Sequence, residues 1–150
     1  PVAAALQRLE LFRRSSSDGG IPPIALQTEL QKVMWEQVGP FRTGEKLAAA
    51  LSRIEEMRDK DMRRLCIGAG HRFNLDLHDA FELRAMLLTA EAVVRSALAR
   101  PESRGAHQRE DFPNSDHRCL KNQAVELSDG ALQFRWVAPV RINRSEATHG

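Results

Sequence analysis

The sequence predicts a mainly α fold followed by a small C-terminal β-hairpin, and three observations predict it. Apolar residues recur at three- and four-residue steps over about 24–38, 43–64 and 76–100, the period of helices with one buried face. Helix breakers separate these stretches: Gly39-Pro40, the glycine-bearing run from Cys66 to Phe73, and Pro101. From Ala124 the period changes to two. Ala124-Val125-Glu126-Leu127 and Leu132-Gln133-Phe134-Arg135-Trp136-Val137 alternate about Ser128-Asp129-Gly130, as two strands joined by a tight turn do.

The elements follow in order. Val2 to Arg14 carries Leu6, Leu9 and Phe12 on one face and reads as a short amphipathic helix. Ser15 to Gly20 is a polar, flexible linker, and Ile21-Pro22-Pro23 restarts the chain with proline, which suits a first helical turn. The first long helix uses Leu26, Leu30, Val33, Met34 and Val38. The second takes Thr43 as N-cap and runs to about Arg64, with Leu47, Leu51, Ile54 and Met57 inward and a charge ladder of Arg53, Glu55, Glu56, Asp59, Lys60 and Arg63 outward. The third, from about Asp76 to Arg100, presents Phe81, Leu83, Leu87, Leu88, Val94 and Leu98. Glu102 to Asn122 is polar, punctuated by Gly105 and Pro113, and reads as an ordered loop; Arg141 to Gly150 reads as a frayed tail. The organisation is therefore 1–23 for the N-terminal helix and linker, 24–122 for the helical part with its loop, and 123–150 for the hairpin and tail.

Composition bounds the function. One hundred and fifty residues with 42% hydrophobic and 28% charged content suit one packed domain with a tail and are too few for separate nucleotide and substrate domains. Basic residues number 22 against 20 acidic, and the arginines interleave with acids instead of forming a one-sided stripe, which argues against nucleic acid as a partner. Two cysteines, Cys66 and Cys119, cannot build a secreted disulfide framework, and no charged and then apolar leader opens the sequence; a reducing, cytoplasmic setting is expected. The apolar stretch near Met86 to Val94 is interrupted by Glu91 and followed by Arg95, so no transmembrane segment is expected.

Candidate chemistry is sparse. Gly68-Ala69-Gly70 suggests a dinucleotide loop, but the third glycine of that pattern would fall at Phe73 and no strand precedes it. Cys66, His71, His117 and Cys119 lack the C-x-x-C or H-x-x-x-H spacing of zinc sites, and no cysteine–histidine pair is adjacent in sequence for nucleophilic work. No catalytic, cofactor-binding or metal-binding residue is expected. Arg53, Arg58, Arg63 and Arg64 sit among acids on a helix and read as a solvated salt-bridge face. The exception is Glu102 to Pro113, where small residues alternate with Arg, His and acids. Residue chemistry leaves it open between a docking surface and a charged helix-ending loop.

That segment, ESRGAHQREDFP, resembles the ESRGAH-x-R-x-D-[YF]-P segment of succinate dehydrogenase and fumarate reductase flavoprotein subunits. Leu30 to Gly44 is similar to the family's L-x-x-x-M-x-x-x-x-G-x-F-R-x-x stretch, and Phe73-Asn74-Leu75-Asp76-Leu77 to its FN-[TL]-[DE]-L segment. The likeness covers about Ile24 to Pro139 and is to the family's helical C-terminal domain. It implies a three-helix, spectrin-repeat-like bundle followed by an extended segment. It implies FAD in the full-length protein and no cofactor in this chain, which alone would be inactive. The implied partners are upstream FAD-binding and capping domains and, as a candidate, an iron–sulfur subunit, with a cytoplasmic place peripheral to the inner membrane through partner subunits. Arg104, His107, Arg109 and Asp111 are then expected at a domain interface, their charges satisfied across the boundary, with Gly105 and Ala106 permitting close approach. L-aspartate oxidase, whose loop commonly has Leu where Ala106 stands, ranks second within the enzyme class, and adenylylsulfate reductase third. The rival from another class is a stand-alone helical protein-interaction module using the same loop or the hairpin edge.

Overall fold

The computed structural model describes residues 20–68 and 73–140. Three helices form the body: α1 (Pro23–Val38), α2 (Gly44–Asp59) and α3 (Leu75–Leu98). Each packs against the other two. The helix expected over Val2–Arg14 and the tail expected over Arg141–Gly150 lie outside the described residues.

α1 begins at the Pro pair, with Pro22 extended and Pro23 in the first turn, where a missing N–H costs nothing. The chain entering it is held by Ile21, whose N–H donates to the Arg64 carbonyl and whose carbonyl accepts from Cys66 N–H, both at 2.8 Å. α2 begins as expected, with the Thr43 hydroxyl accepting from Lys46 N–H at 3.2 Å. Thr43→Ala should cost about 1 kcal/mol, read as a lower denaturant midpoint. α2 ends earlier than the sequence predicts. After Asp59 the backbone tightens into a 3-10 turn, Asp61–Arg64, which returns the Asp61 carboxylate to 2.8 Å from Arg53 Nη1. α3 is capped by Asn74, whose side-chain oxygen accepts from Leu77 N–H at 3.1 Å.

The core joins Leu26, Leu30 and Val33 of α1 to Leu47, Ile54 and Met57 of α2 and to α3. On α3 the buried stripe is Ala80, Leu83, Leu87, Ala90, Val94 and Ala97, a strict alternation of three- and four-residue steps. Phe81, expected inside, is 43% exposed, and Leu88 is only half-buried. The alanines take the inward positions because small side chains let helices approach closely.

The outward charge ladder is not simply solvated. Arg53 binds Glu29 of α1 at 2.7 Å as well as Asp61, and Arg58 binds Glu91 of α3, which Arg95 also holds at 2.8 Å. Asp61 and Glu91 are both buried, so these pairs cross-link elements, while Arg63 and Arg64 stay exposed.

Two small sheets complete the fold. β1 (Phe41–Arg42) and β2 (Gln108–Arg109) pair in parallel, Phe41 opposite Gln108 and Arg42 opposite Arg109. β3 (Asn122–Ser128) and β4 (Ala131–Val137) form the expected antiparallel hairpin, with Val125 opposite Phe134. Asp129 and Gly130 carry φ of 52° and 80°, the left-handed pair that a two-residue Asp-Gly hairpin turn requires. No helix among the described residues is long and apolar enough to cross a membrane.

Candidate functional site

The loop that follows α3 is built around one carboxylate. Glu102 is fully buried, and its oxygens accept from Arg100 Nη1 at 2.6 Å, from Arg104 Nη2 at 2.9 Å and from Asp116 N–H at 2.8 Å. A buried charge needs this many partners to offset lost hydration. The Arg104 guanidinium foremost, with the Asp116 N–H and Arg100, holds the Glu102 carboxyl down at about 2, against burial, which raises it. Arg100 reaches further: its guanidinium also donates to the Cys119 and Lys121 carbonyls at 2.9 and 2.6 Å and lies 5.1 Å from the Trp136 ring centroid. It thereby ties the helix end, the loop and the hairpin together.

Ser103 closes the loop on itself. Its hydroxyl accepts from Arg109 N–H at 2.8 Å and lies 2.9 Å from the Phe112 carbonyl, to which it donates. Between these points the chain reverses: Arg104 N–H donates to the His107 carbonyl at 2.8 Å and His107 N–H to the Arg104 carbonyl at 3.0 Å. Gly105, at φ +58°, supplies the left-handed residue of this turn. A Cβ there would meet no atom within 4 Å, so within this chain the glycine serves backbone conformation rather than close approach.

The loop is clipped to the bundle at two points. Arg109, buried, makes a two-pronged bond to Asp111 at 2.7 and 2.8 Å and donates to the Ala97 carbonyl at 3.1 Å. Asp111 in turn accepts from Gly44 N–H at 2.8 Å, at the first turn of α2, where unpaired N–H groups favour an anion. Arg109 first, then the Gly44 N–H, hold the Asp111 carboxyl well below the usual carboxylate range, against partial desolvation, which raises it. The second clip is β1 on β2, reinforced by Glu110 N–H donating to the Arg42 carbonyl at 2.8 Å and by Arg42 Nη1 against His107 Nδ1 at 2.9 Å.

The structure thus brings Arg104, His107, Arg109 and Asp111 into one network, with all four bonded inside the chain; Gly105 and Ala106 form its exposed tip. Sequence reasoning missed Glu102 as the centre and Arg42 and Arg100 as its straps. The available signal was the pair of guanidiniums, Arg100 and Arg104, flanking one acid, but nothing local says which carboxylate is buried.

Nothing among the described residues pairs a nucleophile with a base here. Gly68 does not open a phosphate loop: its N–H donates to Asp76 Oδ2 at 3.0 Å and its carbonyl accepts from Asn74 Nδ2 at 2.7 Å, wiring it to the start of α3. Gly70 and His71 lie outside the described residues. Cys66 and Cys119 are free thiols. His78, Asp79 and Glu82 offer ligand atoms within 4.8 Å of one another on the outer side of α3, a grouping common on solvated helices.

The family model described as fumarate reductase flavoprotein C-term matches residues 27–148. A fumarate reductase (CoM/CoB) subunit of Methanothermobacter marburgensis is 45% identical over 98 residues, covering 65% of this chain and 18% of that protein. The fumarate reductase flavoprotein subunit of Mycobacterium tuberculosis is 34% identical over 139 residues, covering 91% of this chain and 24% of that protein. A solved quinol fumarate reductase of E. coli superposes with a TM-score of 0.80 at 29% identity, over 95% of this chain and 24% of its own. The chain therefore spans no more than 24% of the length of these relatives. These matches are to the succinate dehydrogenase/fumarate reductase group, and L-aspartate oxidase is not favoured. With three helices, the ESRGAH loop and the hairpin in the order of that family, the chain belongs to it, as the C-terminal domain of a succinate dehydrogenase/fumarate reductase flavoprotein subunit.

Proposed function

We propose that this domain supports the FAD-binding part of a flavin-dependent oxidoreductase that interconverts succinate and fumarate, and that its contact with that part is the tip and flank of the ESRGAH loop. Gly68 is engaged with Asn74 and Asp76 inside this domain. In this reading the flavin, which would supply the redox chemistry, is held by the FAD-binding part rather than by this domain. Reaction and cofactor are carried over from the family, which is a family of flavoprotein subunits.

The observation that carries the interface is the contrast within one loop. Arg104, Arg109 and Asp111 are bound internally, whereas Gly105, Ala106, Gln108 and Phe112 are exposed on a backbone that those bonds hold rigid. A tightly braced loop with a small-residue tip is suited to fit a preformed surface, because little ordering entropy is lost on docking. A peripheral iron–sulfur partner and attachment to a membrane through further subunits are part of the same reading.

Ala106→Arg tests it. In this chain the site is solvent-exposed, so melting of the isolated domain should move by no more than about 0.5 kcal/mol equivalent. In the full-length polypeptide the flavin-to-protein absorbance ratio and dye-linked fumarate reduction should both fall. Unchanged flavin content and turnover in the full-length variant would overturn the interface.

A further inference from the structure

The His107 ring sits between the Arg42 guanidinium and the Arg100 main chain. Nδ1 is 2.9 Å from Arg42 Nη1, and Nε2 is 3.0 Å from the Arg100 carbonyl oxygen. A guanidinium only donates and a carbonyl only accepts, so one form of the ring satisfies both contacts: neutral, with its hydrogen on Nε2. Three cations act on the ring against its protonation: Arg42 from β1, Arg109 from β2 and Arg100 from the segment after α3. The loop's carboxylates are engaged elsewhere, Glu102 with Arg100 and Arg104, Asp111 with Arg109 and Gly44 N–H. Among the described residues no carboxylate is paired with the His107 ring.

The geometry points to His107 as a proton-sensitive latch: a proton taken from solvent at Nδ1 turns Arg42's acceptor into a donor, expels the guanidinium and releases β1 from β2. Arg42 keeps its own Nε bond to the Gly39 carbonyl at 2.8 Å, so the break falls between the two strands rather than within one. The pair is two residues long, and side-chain contacts weigh heavily in so short a ladder. The Arg109–Asp111–Gly44 clip makes no bond to His107 and stays closed. Opening thus loosens one of two attachments of the loop to the bundle and frees Phe41, already exposed at the edge.

Burial, then the surrounding arginines, push the imidazole below its ordinary value, while the Arg100 carbonyl opposes them. A depressed value means that the unfolded or opened state binds the proton more readily. The latch therefore contributes fully above about pH 6.5 and loses its contribution as pH falls below that.

The test is made on the full-length polypeptide by mass spectrometry, following exchange of the imidazole carbon-bound hydrogen of His107 against pH and, in parallel, backbone amide exchange corrected for its intrinsic pH dependence. The His107 midpoint should lie below about 6.5. Protection of the peptide containing Glu110 N–H should fall in step with protonation. Arg42→Gln removes the facing cation, so it should raise the His107 midpoint. An ordinary midpoint that Arg42→Gln leaves unmoved, or amide protection independent of His107 protonation, would overturn the latch.

Discussion

Glu102→Ala should destabilise the domain by about 3–5 kcal/mol, the cost of removing one member of a buried ionic cluster while its partners remain. Arg100 and Arg104 would lose their common anion and the Asp116 N–H its acceptor, all in a loop that excludes water from the carboxylate. Total stabilities of single domains are only about 5–15 kcal/mol, so the variant should show a large drop in urea midpoint. The wild-type pH profile carries the same information. The Glu102 carboxyl lies at about 2 in the folded chain against an ordinary 4.5, so its contribution is complete above about pH 4.5 and is lost as pH falls towards 2. Glu102→Gln keeps the shape but not the charge, and should remove that part of the acid sensitivity. A loss below about 1 kcal/mol for the alanine variant would mean that water reaches the loop centre and screens the arginines.

Ile54→Ala should cost about 3 kcal/mol by a different mechanism. Ile54 is fully buried at the middle of α2, the helix that packs on both α1 and α3, so truncation leaves a cavity that three helix backbones cannot close together. Ile54→Val, one methylene smaller, should cost about 1 kcal/mol at the same site. Chemical unfolding monitored by far-ultraviolet circular dichroism reads both. Equal losses for the two variants would show that the site collapses freely, contrary to a packed three-way junction. The cavity variant should leave the pH profile of stability unchanged, because it adds and removes no titrating group. Glu102→Ala should alter it. The pair of variants thus separates helix packing from the loop's ionic cluster.

Much of this fold is legible in local chemistry. Thr43 caps α2, the Pro pair opens α1 and Asp129-Gly130 turns the hairpin, each because the residue has a steric or hydrogen-bonding property that acts over a few positions. The apolar period placed Leu47, Ile54, Met57, Leu83 and Leu87 inside, and all five are. It misjudged Phe81 because size is a poor guide to facing: Ala80, one residue away, lies on the inward seam, and large residues just off that seam stay wet. The early end of α2 was invisible for a related reason. Its stop is made by Arg53 reaching Asp61 and by Ile21 pairing with Leu65, contacts between residues far apart or on either side of the break.

The site follows the same division. Sequence by itself determined the three helices of the body, the hairpin and the family, and it singled out six chemically distinctive loop residues, since motif order and spacing are one-dimensional facts. Only the tertiary structure decided how those residues are used. It buried Glu102 rather than Asp111, set Arg109 inside and Ala106 outside, and brought Arg42, distant in sequence, onto His107. The physical reason is that a charge's role depends on what surrounds it. Arginine in water is a solvated cation, arginine on a buried carboxylate is a structural tie, and the difference is set by chain segments that meet only when the three helices pack.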